Sequence, residues 1–343
     1  MVTRPRACVV HMNAHTHAAH AILAIETSCD ETAAAVVGVD RSVRSSVVAS
    51  QVDLHGRFGG VVPEIASRAH VETVNAVVAQ ALEEAEIEPD DLAAVAVTQG
   101  PGLIGALLVG MTAAKTYAFA WNKPIVYVDH IEAHIWANFV GGEETPLPAV
   151  CLVVSGGHTT LYWMDERQQL TVIGETIDDA VGEAYDKVAR LLGLPYPGGP
   201  HVDRLAHEAR NPVRFPVPLA ESPGFDFSLS GLKTAVAYYV REHTERGFDP
   251  ADVAAGFQQA IVDMLVLKLK RAIRHFQPRS VLAAGGVIAN SAIRAAFANL
   301  SAQVGIPFRF PHFSLCTDNA AMVGMRAVDL FLAGQTGDLD APA

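Results

Sequence analysis

The segment "YVDHIEAHIWANF", Tyr127 to Phe139, carries two histidines four residues apart. A helix turns about 100° per residue, so His130 and His134 fall on one face and can share a metal ion. In a metalloprotease helix of the form H-E-x-x-H, the glutamate directly follows the first histidine and reaches the metal-bound water. Glu132 instead stands two residues from each histidine, roughly 200° around the helix, and points away from any ion they hold. The pair reads as metal ligands or as two polar residues on a half-buried helix, without a protease base. Further along, "LCTDNAAM" sets Asp318 at a loop-to-helix junction. Two histidines and one carboxylate leave coordination positions open and suit iron(II) or zinc. Helix capping by Asp318 or Asn319 explains the same residues equally well, and the local sequence does not separate the two readings.

A second group of carboxylates lies in "GETIDDAVGEAYDKVARLLGLPYPGGPHVDRLA", Gly174 to Ala206. Asp178, Asp179 and Glu183 with Lys187 and Arg190 read as a solvated helix face. Asp186 and Asp203 flank a Gly198-Gly199 turn that allows both to approach one hydroxyl-bearing ligand. "FDFSLSGLKTAVAYY" follows with Ser228, Ser230 and Lys233, a pattern that a strand-to-helix connection also explains.

These side chains need elements to hold them. Two stretches share one plan of apolar strand, tight polar turn and second strand: "AILAIETSCDETAAAVVGV" (Ala21 to Val39) and "AVCLVVSGGHTTLYWM" (Ala149 to Met164). The second turns at Gly156-Gly157, where positive φ is available at no steric cost. Both tips expose N–H groups and hydroxyls able to cradle phosphate. Their recurrence suggests two related halves facing each other across a cleft. "LAAVAVTQGPGLIGALLVGMTAAKTYAFAW" and "SVLAAGGVIANSAIRAAFANL" each run from a strand through a glycine turn to a helix N-terminus, which favours an anion. Further helices are expected over "PEIASRAHVETVNAVVAQALEEAEI", "PADVAAGFQQAIVDMLVLKLKRAIRHF" and "DNAAMVGMRAVDLFLAG". Strands and helices mixed in this way give an α/β architecture.

Half of the 343 residues are hydrophobic and 18 % are charged, enough apolar material for two cores. The most apolar run, "LIGALLVGMTAA", is too short to span a membrane and reads as a buried helix. Cys8, Cys29, Cys151 and Cys316 form no C-x-x-C pair, which fits a reducing cytoplasm. A net charge of −12 opposes broad nonspecific binding of nucleic acid, so a polynucleotide partner needs a local basic patch or a helper protein. Residues 1–20 read as a disordered leader, or as sequence upstream of a working start near Met12. Their His11, His15, His17 and His20 also fit a metal-binding tract.

The ordered motifs "ETSCDET", "GGVVPEIASRAH", "GPGLIGALLVG", "DHIEAH", "VSGGHT", "GEAYDKVARLLGLPYPGGP", "FDFSLSGLKTAV", "AAGGVIAN" and "CTDNAAM" run from Glu26 to Met322. Together they closely resemble the bacterial branch of the TsaD family. The resemblance implies an actin/Hsp70/sugar-kinase-like (ASKHA) fold, two ribonuclease-H-like domains around a nucleotide cleft. On that reading the domains comprise 21–129 with 319–336, and 130–318. It implies threonylcarbamoyl transfer from threonylcarbamoyl-AMP to the exocyclic amine of the adenosine 3′ of the anticodon, in tRNAs reading codons that begin with A. By matching motif, His130, His134 and Asp318 would hold iron(II), with zinc the alternative. Val153, Val154, Ser155, Gly156, Gly157, Asp186, Gly199, Asp203 and Asn290 would bind the adenylate. Tyr185 and Leu229 depart from the phenylalanines common in the family.

For the reaction that the resemblance implies, Asp30 or Glu31 at the first hairpin tip is the expected group to orient the amine or take its proton; satisfaction of the local turn backbone is the alternative. The resemblance further implies helpers, a TsaB-like paralogue and a TsaE-like ATPase, and a cytoplasmic setting with no membrane partner. A metallo-endopeptidase acting on glycoproteins and an actin-like ATPase or sugar kinase are the competing functions.

Overall fold

The computed structural model describes residues 20–142 and 145–343. Residues 1–19, with most of the histidine tract, lie outside the described residues; His20 is exposed, and its backbone N–H bonds the Asp91 carbonyl.

Among the described residues, ten strands form two sheets. The first contains β1 (Ala21–Glu26), β2 (Glu31–Gly38), β3 (Val43–Ser50), β4 (Leu92–Gly100) and β5 (Ile125–Asp129) in the order β3-β2-β1-β4-β5. The second contains β6 (Ala149–Val154), β7 (Thr159–Met164), β8 (Leu170–Glu175), β9 (Ser280–Ala284) and β10 (Phe308–Arg309) in the order β10-β9-β6-β7-β8. Counted from each sheet's own first strand, the two orders are identical. So are the directions: the first three strands pair antiparallel, and the first, fourth and fifth pair parallel. The duplicated hairpins read from the sequence are therefore the opening strands of two copies of one topology, the plan expected of two ribonuclease-H-like units.

The strand sequences explain their places. β1 and β6, "AILAIE" and "AVCLVV", are buried at every position, as central strands covered on both faces must be. β3, "VRSSVVAS", alternates toward solvent at the sheet edge.

Helices α1 (Val52–Gly56), α2 (Pro63–Ala85), α3 (Ile104–Ala120) and α4 (His130–Trp136) connect the first half. Helices α5 (Val181–Leu191), α6 (Gly198–Ala206), α7 (Ser230–His243), α8 (Pro250–Phe276) and α9 (Ser291–Val304) surround the second sheet. The last helix, α10 (Ala320–Leu332), returns to pack on β1, β2 and α4. One apolar cluster continues across both halves, from Ile22, Val37 and Val126 through Ile135, Trp136 and Met325 to Cys151, Val153 and Leu282. That shared core fixes the two hairpin tips relative to each other.

α3 corrects one expectation. The helix exists, but only one face is buried; Ile104, Leu108 and Phe119 stand exposed. The reason is its position on the outside of the first sheet, against β4 and α2. No described helix is long and apolar enough to cross a membrane.

Candidate active site

Both hairpin tips open onto one cavity of ≈ 810 Å³. Ser28, Cys29, Asp30 and Glu31 line it from the first sheet, and Ser155, Gly156, Gly157 and His158 from the second. Its remaining walls include His130, Asp186, Gly199, Asp203, Asn290 and Asp318.

The short helix α4 aims the histidines. Asp129 caps it, its Oδ1 accepting from the N–H groups of Ile131 (2.8 Å) and Glu132 (2.9 Å), which starts the helix at His130. Both imidazoles are buried, with ring centroids 4.7 Å apart. Glu132 turns to the other side, where it accepts a hydrogen bond from Arg326 at 2.7 Å. The angular argument against a protease base therefore holds in three dimensions.

Asn319, not Asp318, caps α10: its Oδ1 accepts from the N–H of Met322 at 3.0 Å. The Asp318 carboxylate is thereby left to face the histidines, its Oδ1 3.1 Å from His134 Nε2 and 3.6 Å from His130 Nε2. One ligand atom from each of the three residues lies within 4.8 Å of the others, the single such group among the described residues. His134 supplies the test of fit. It is fully buried, and neither ring nitrogen has a hydrogen-bond partner among the described residues; Nε2 is at ion-pair distance from Asp318. A buried imidazole without hydrogen bonds is costly, and a cation coordinated by Nε2 supplies the missing partner. Two imidazole nitrogens and one carboxylate oxygen form a donor set suited to a divalent transition metal.

The charges around this trio are tightly coupled. Burial would raise the Asp318 carboxyl, but His130, His134 and His158 together outweigh it and hold it down at about 2. Burial would lower His130, but Asp318 and then Glu26 raise it to about 9. His158, also on the cavity wall, is pushed down by burial and then by the two histidines, so its imidazole is neutral at physiological pH.

The glycine cradle works differently from the sequence expectation. Gly156 and Gly157 are not in the left-handed φ region, and a Cβ on either would meet no protein atom within 4 Å. Neither turn conformation nor packing demands glycine there; the missing side chains leave the cavity open at the tip. Gly199 is equally unobstructed. The packing constraint falls on Gly182 at the start of α5, where a Cβ would come within 2.6 Å of the Ser155 carbonyl, and on Gly285, which has φ +94° and abuts Val154. Val153 and Val154 are buried strand residues that carry the tip and do not line the cavity.

The two acidic runs separate by long-range partners. Asp178 accepts from the hydroxyls of Ser228 (2.6 Å) and Ser230 (2.7 Å) and from the Leu229 N–H (2.7 Å), fastening the start of α7. Asp179 pairs with Lys187 and Lys233. Asp186 accepts from the Gly198 N–H at 2.7 Å and reaches the cavity, its carboxyl raised by burial. Asp203 accepts from the Ser291 hydroxyl (2.9 Å) and N–H (3.0 Å). Asn290 caps α9 through the Ile293 N–H and donates to Gln258 at 2.7 Å, so its side chain is held rigidly at the wall. Gln258, which the sequence reading passed over, also donates to Asp203 at 3.1 Å. Its only sequence signal is a polar residue on a helix otherwise rich in buried apolar positions.

Glu31 accepts from the Ser50 hydroxyl at 3.1 Å, and burial, then the adjacent Asp30, raises its carboxyl to about 9. It therefore carries its proton at neutral pH and acts as a hydrogen-bond donor.

Comparison with known proteins accounts for this assembly. A family profile described as TsaD, tRNA N6-adenosine threonylcarbamoyltransferase, matches residues 42–325. The chain is 52 % identical over 321 residues to the tRNA N6-adenosine threonylcarbamoyltransferase of Geobacillus thermodenitrificans, covering 93 % of this chain and 94 % of that one. It is 54 % identical over 308 residues to the enzyme of the same description from Halalkalibacterium halodurans, covering 89 % and 90 %. Among solved structures, T. kodakarensis HypF superposes with a TM-score of 0.64 at 15 % identity, covering 92 % of this chain and 48 % of HypF. Component A of the Acidaminococcus fermentans (R)-2-hydroxyglutaryl-CoA dehydratase gives 0.57 at 13 %, covering 90 % and 98 %. These two likenesses concern the fold alone. The extent and identity of the sequence matches show that the chain belongs to the TsaD family of tRNA N6-adenosine threonylcarbamoyltransferases.

Proposed function

We propose that the protein transfers a threonylcarbamoyl group from threonylcarbamoyl-AMP to N6 of the adenosine 3′ of the anticodon, in tRNAs reading codons that begin with A. The amine nitrogen forms a bond to the carbamoyl carbon, the bond from that carbon to the phosphate oxygen breaks, and AMP leaves. The amine gives up one proton. The observation that carries this reading is the meeting of a two-histidine, one-carboxylate group and a side-chain-free glycine tip at one cavity, in a chain of this family.

Asp186, Asp203 and Asn290 line the same cavity, and the two carboxylates are assigned to the ribose hydroxyls. Ser155, Gly156 and Gly157 line the space assigned to the phosphate, where N–H dipoles meet charge as it develops. Asp30 is the group assigned to hold the amine and take its proton, while protonated Glu31 donates to the substrate. His130, His134 and Asp318 are assigned to one divalent cation, iron(II) in our reading with zinc as the alternative. When bound, that ion supplies Lewis acidity toward a substrate oxygen. No serine or cysteine nucleophile is needed: burial pushes the Cys29 thiol far up, leaving it unreactive at the rim.

The two domains are assigned to 21–129 with 319–336, and to 130–318; the return of α10 to the first sheet supports that division. The acidic surface fits assisted tRNA binding, with a TsaB-like paralogue and a TsaE-like ATPase as helpers in the cytoplasm. The endopeptidase alternative loses its base to the Glu132–Arg326 pair. An ATPase or kinase has no use for the buried histidine pair.

The test is reconstitution with threonylcarbamoyl-AMP, a tRNA transcript and the two helpers, followed by nucleoside mass spectrometry. Threonylcarbamoyladenosine and AMP should appear in equal amounts. Persistent absence of the modified nucleoside with metal-loaded protein refutes the assignment.

A further inference from the structure

β1 is an apolar strand that ends in a carboxylate, and Glu26 is completely buried. A carboxylate so placed must be satisfied by donors. Its Oε1 accepts from the Ser28 N–H at 2.5 Å, and its Oε2 from the Thr98 hydroxyl at 2.5 Å. The remaining contact is the one of interest: Oε2 lies 3.2 Å from His130 Nδ1. The other nitrogen of that ring, Nε2, faces Asp318. Ser28 Oγ also lies 3.2 Å from Nδ1, and next to a carboxylate that nitrogen must carry hydrogen, so the serine oxygen is a second acceptor.

We propose that Glu26 is the positioning residue of the metal centre. By accepting from Nδ1–H it selects the His130 tautomer whose Nε2 lone pair points at the ion, locks the ring plane and raises the ring's basicity. His134 has no equivalent partner, since its Nδ1 is without a hydrogen bond. The two ligand histidines are thus unequal: His130 Nδ1 is held by the first sheet, whereas His134 Nδ1 has no such partner among the described residues. Glu26 therefore ties the last residue of β1, five residues before Glu31, to the ion site itself.

The inference rests on the metal reading above, and the experiment separates the two. Zinc affinity is measured by competition with a chromophoric chelator on the full chain, with Asp318→Ala as the blank for zinc held elsewhere, the N-terminal histidines included. Wild type should bind one more zinc than the blank; equal binding overturns the metal reading itself. Given that extra zinc, Glu26→Gln should hold it about 10- to 100-fold more weakly. Thr98→Val, which removes a different donor to the same carboxylate, should change affinity less than about threefold. Equal affinity in Glu26→Gln and wild type overturns the role of Glu26. Should Glu26→Gln fail to fold, ¹⁵N NMR of zinc-loaded wild type decides. His130 should bind through Nε2 and show a downfield, exchange-protected Nδ1–H, whereas coordination through Nδ1 refutes the proposal.

Discussion

The two hairpin tips are built on the same topology and do opposite things. Ser28 to Glu31 presents the carboxylates of Asp30 and Glu31, the latter accepting from Ser50, with buried Glu26 behind them. Ser155 to His158 presents backbone with no side chain at its two central positions. Duplication explains why both tips reach one cavity; it does not explain what either does there. The fold supplies placement, and the residues at each tip supply the difference, acidic side chains on one side and open space on the other.

The largest break in that comparison comes where α10 meets the first tip. Asp318→Ala should abolish stoichiometric metal and lower turnover by at least about a thousandfold, for loss of a ligand on which the transition state depends. The neighbouring Asn319→Ala should leave metal content unchanged and cost about 1 kcal/mol of stability, because it removes a helix cap. Metal analysis with chemical denaturation tells the two apart. Equal metal loss in both variants breaks the division of labour between adjacent residues.

Next in size is the pH dependence of the metal. His130 titrates at about 9 without an ion, and a ligand nitrogen must shed its proton to bind. Affinity should therefore fall about tenfold for each pH unit below about 9, and isothermal titration in buffers of different ionisation enthalpy should show release of a proton. A flat affinity from pH 7 to 9 contradicts the coupled charges described for the site.

The second tip is sharpened by Gly157→Val. A Cβ there touches no protein atom and the backbone is not left-handed, so stability should stay within about 0.5 kcal/mol. The adenylate should nevertheless bind about 10- to 100-fold more weakly, read as a rise in KM, because the branched side chain enters the space assigned to its phosphate.

The smallest effect belongs to Glu31. Its folded pKa is raised to about 9 from an ordinary 4.5, so between those values the unfolded chain has released a proton that the folded chain keeps. Stability from this group is greatest below pH 4.5 and declines as pH rises toward 9. Glu31→Gln removes that slope, so its melting temperature should exceed wild type at pH 8 and match it near pH 4.5. Turnover at pH 7 should drop less than about threefold, whereas Asp30→Asn should lose considerably more. A larger loss for Glu31→Gln reverses the assignment of proton donor and acceptor.

Much of this was legible in the residues. The i, i+4 histidines, the wrong angle of Glu132 and the paired hairpins all follow from local periodicity, and each appears in the structure as read. Local sequence could not say whether Asp318 or Asn319 caps α10, because both residue types cap helices; the deciding fact is that histidines from residues 130 and 134 arrive beside Asp318. The acidic run 178–203 resists local reading for the same reason. Asp178 answers to serines 50 and 52 residues away, and Asp186 to a glycine turn. Gly156 and Gly157 look like turn-makers in the sequence, yet neither has a left-handed φ and a Cβ on either would meet no protein atom. Glu26 was visible only as the end of an apolar strand, and its meaning depends on a contact 104 residues away.

The most direct test is anomalous diffraction from crystals grown with iron and a non-hydrolysable adenylate analogue. The account predicts one peak at the mouth of the cavity, about 2.0–2.2 Å from a nitrogen of His130, a nitrogen of His134 and an oxygen of Asp318. A peak coordinated by other residues, or a bound analogue with the three ligands turned apart, would contradict it.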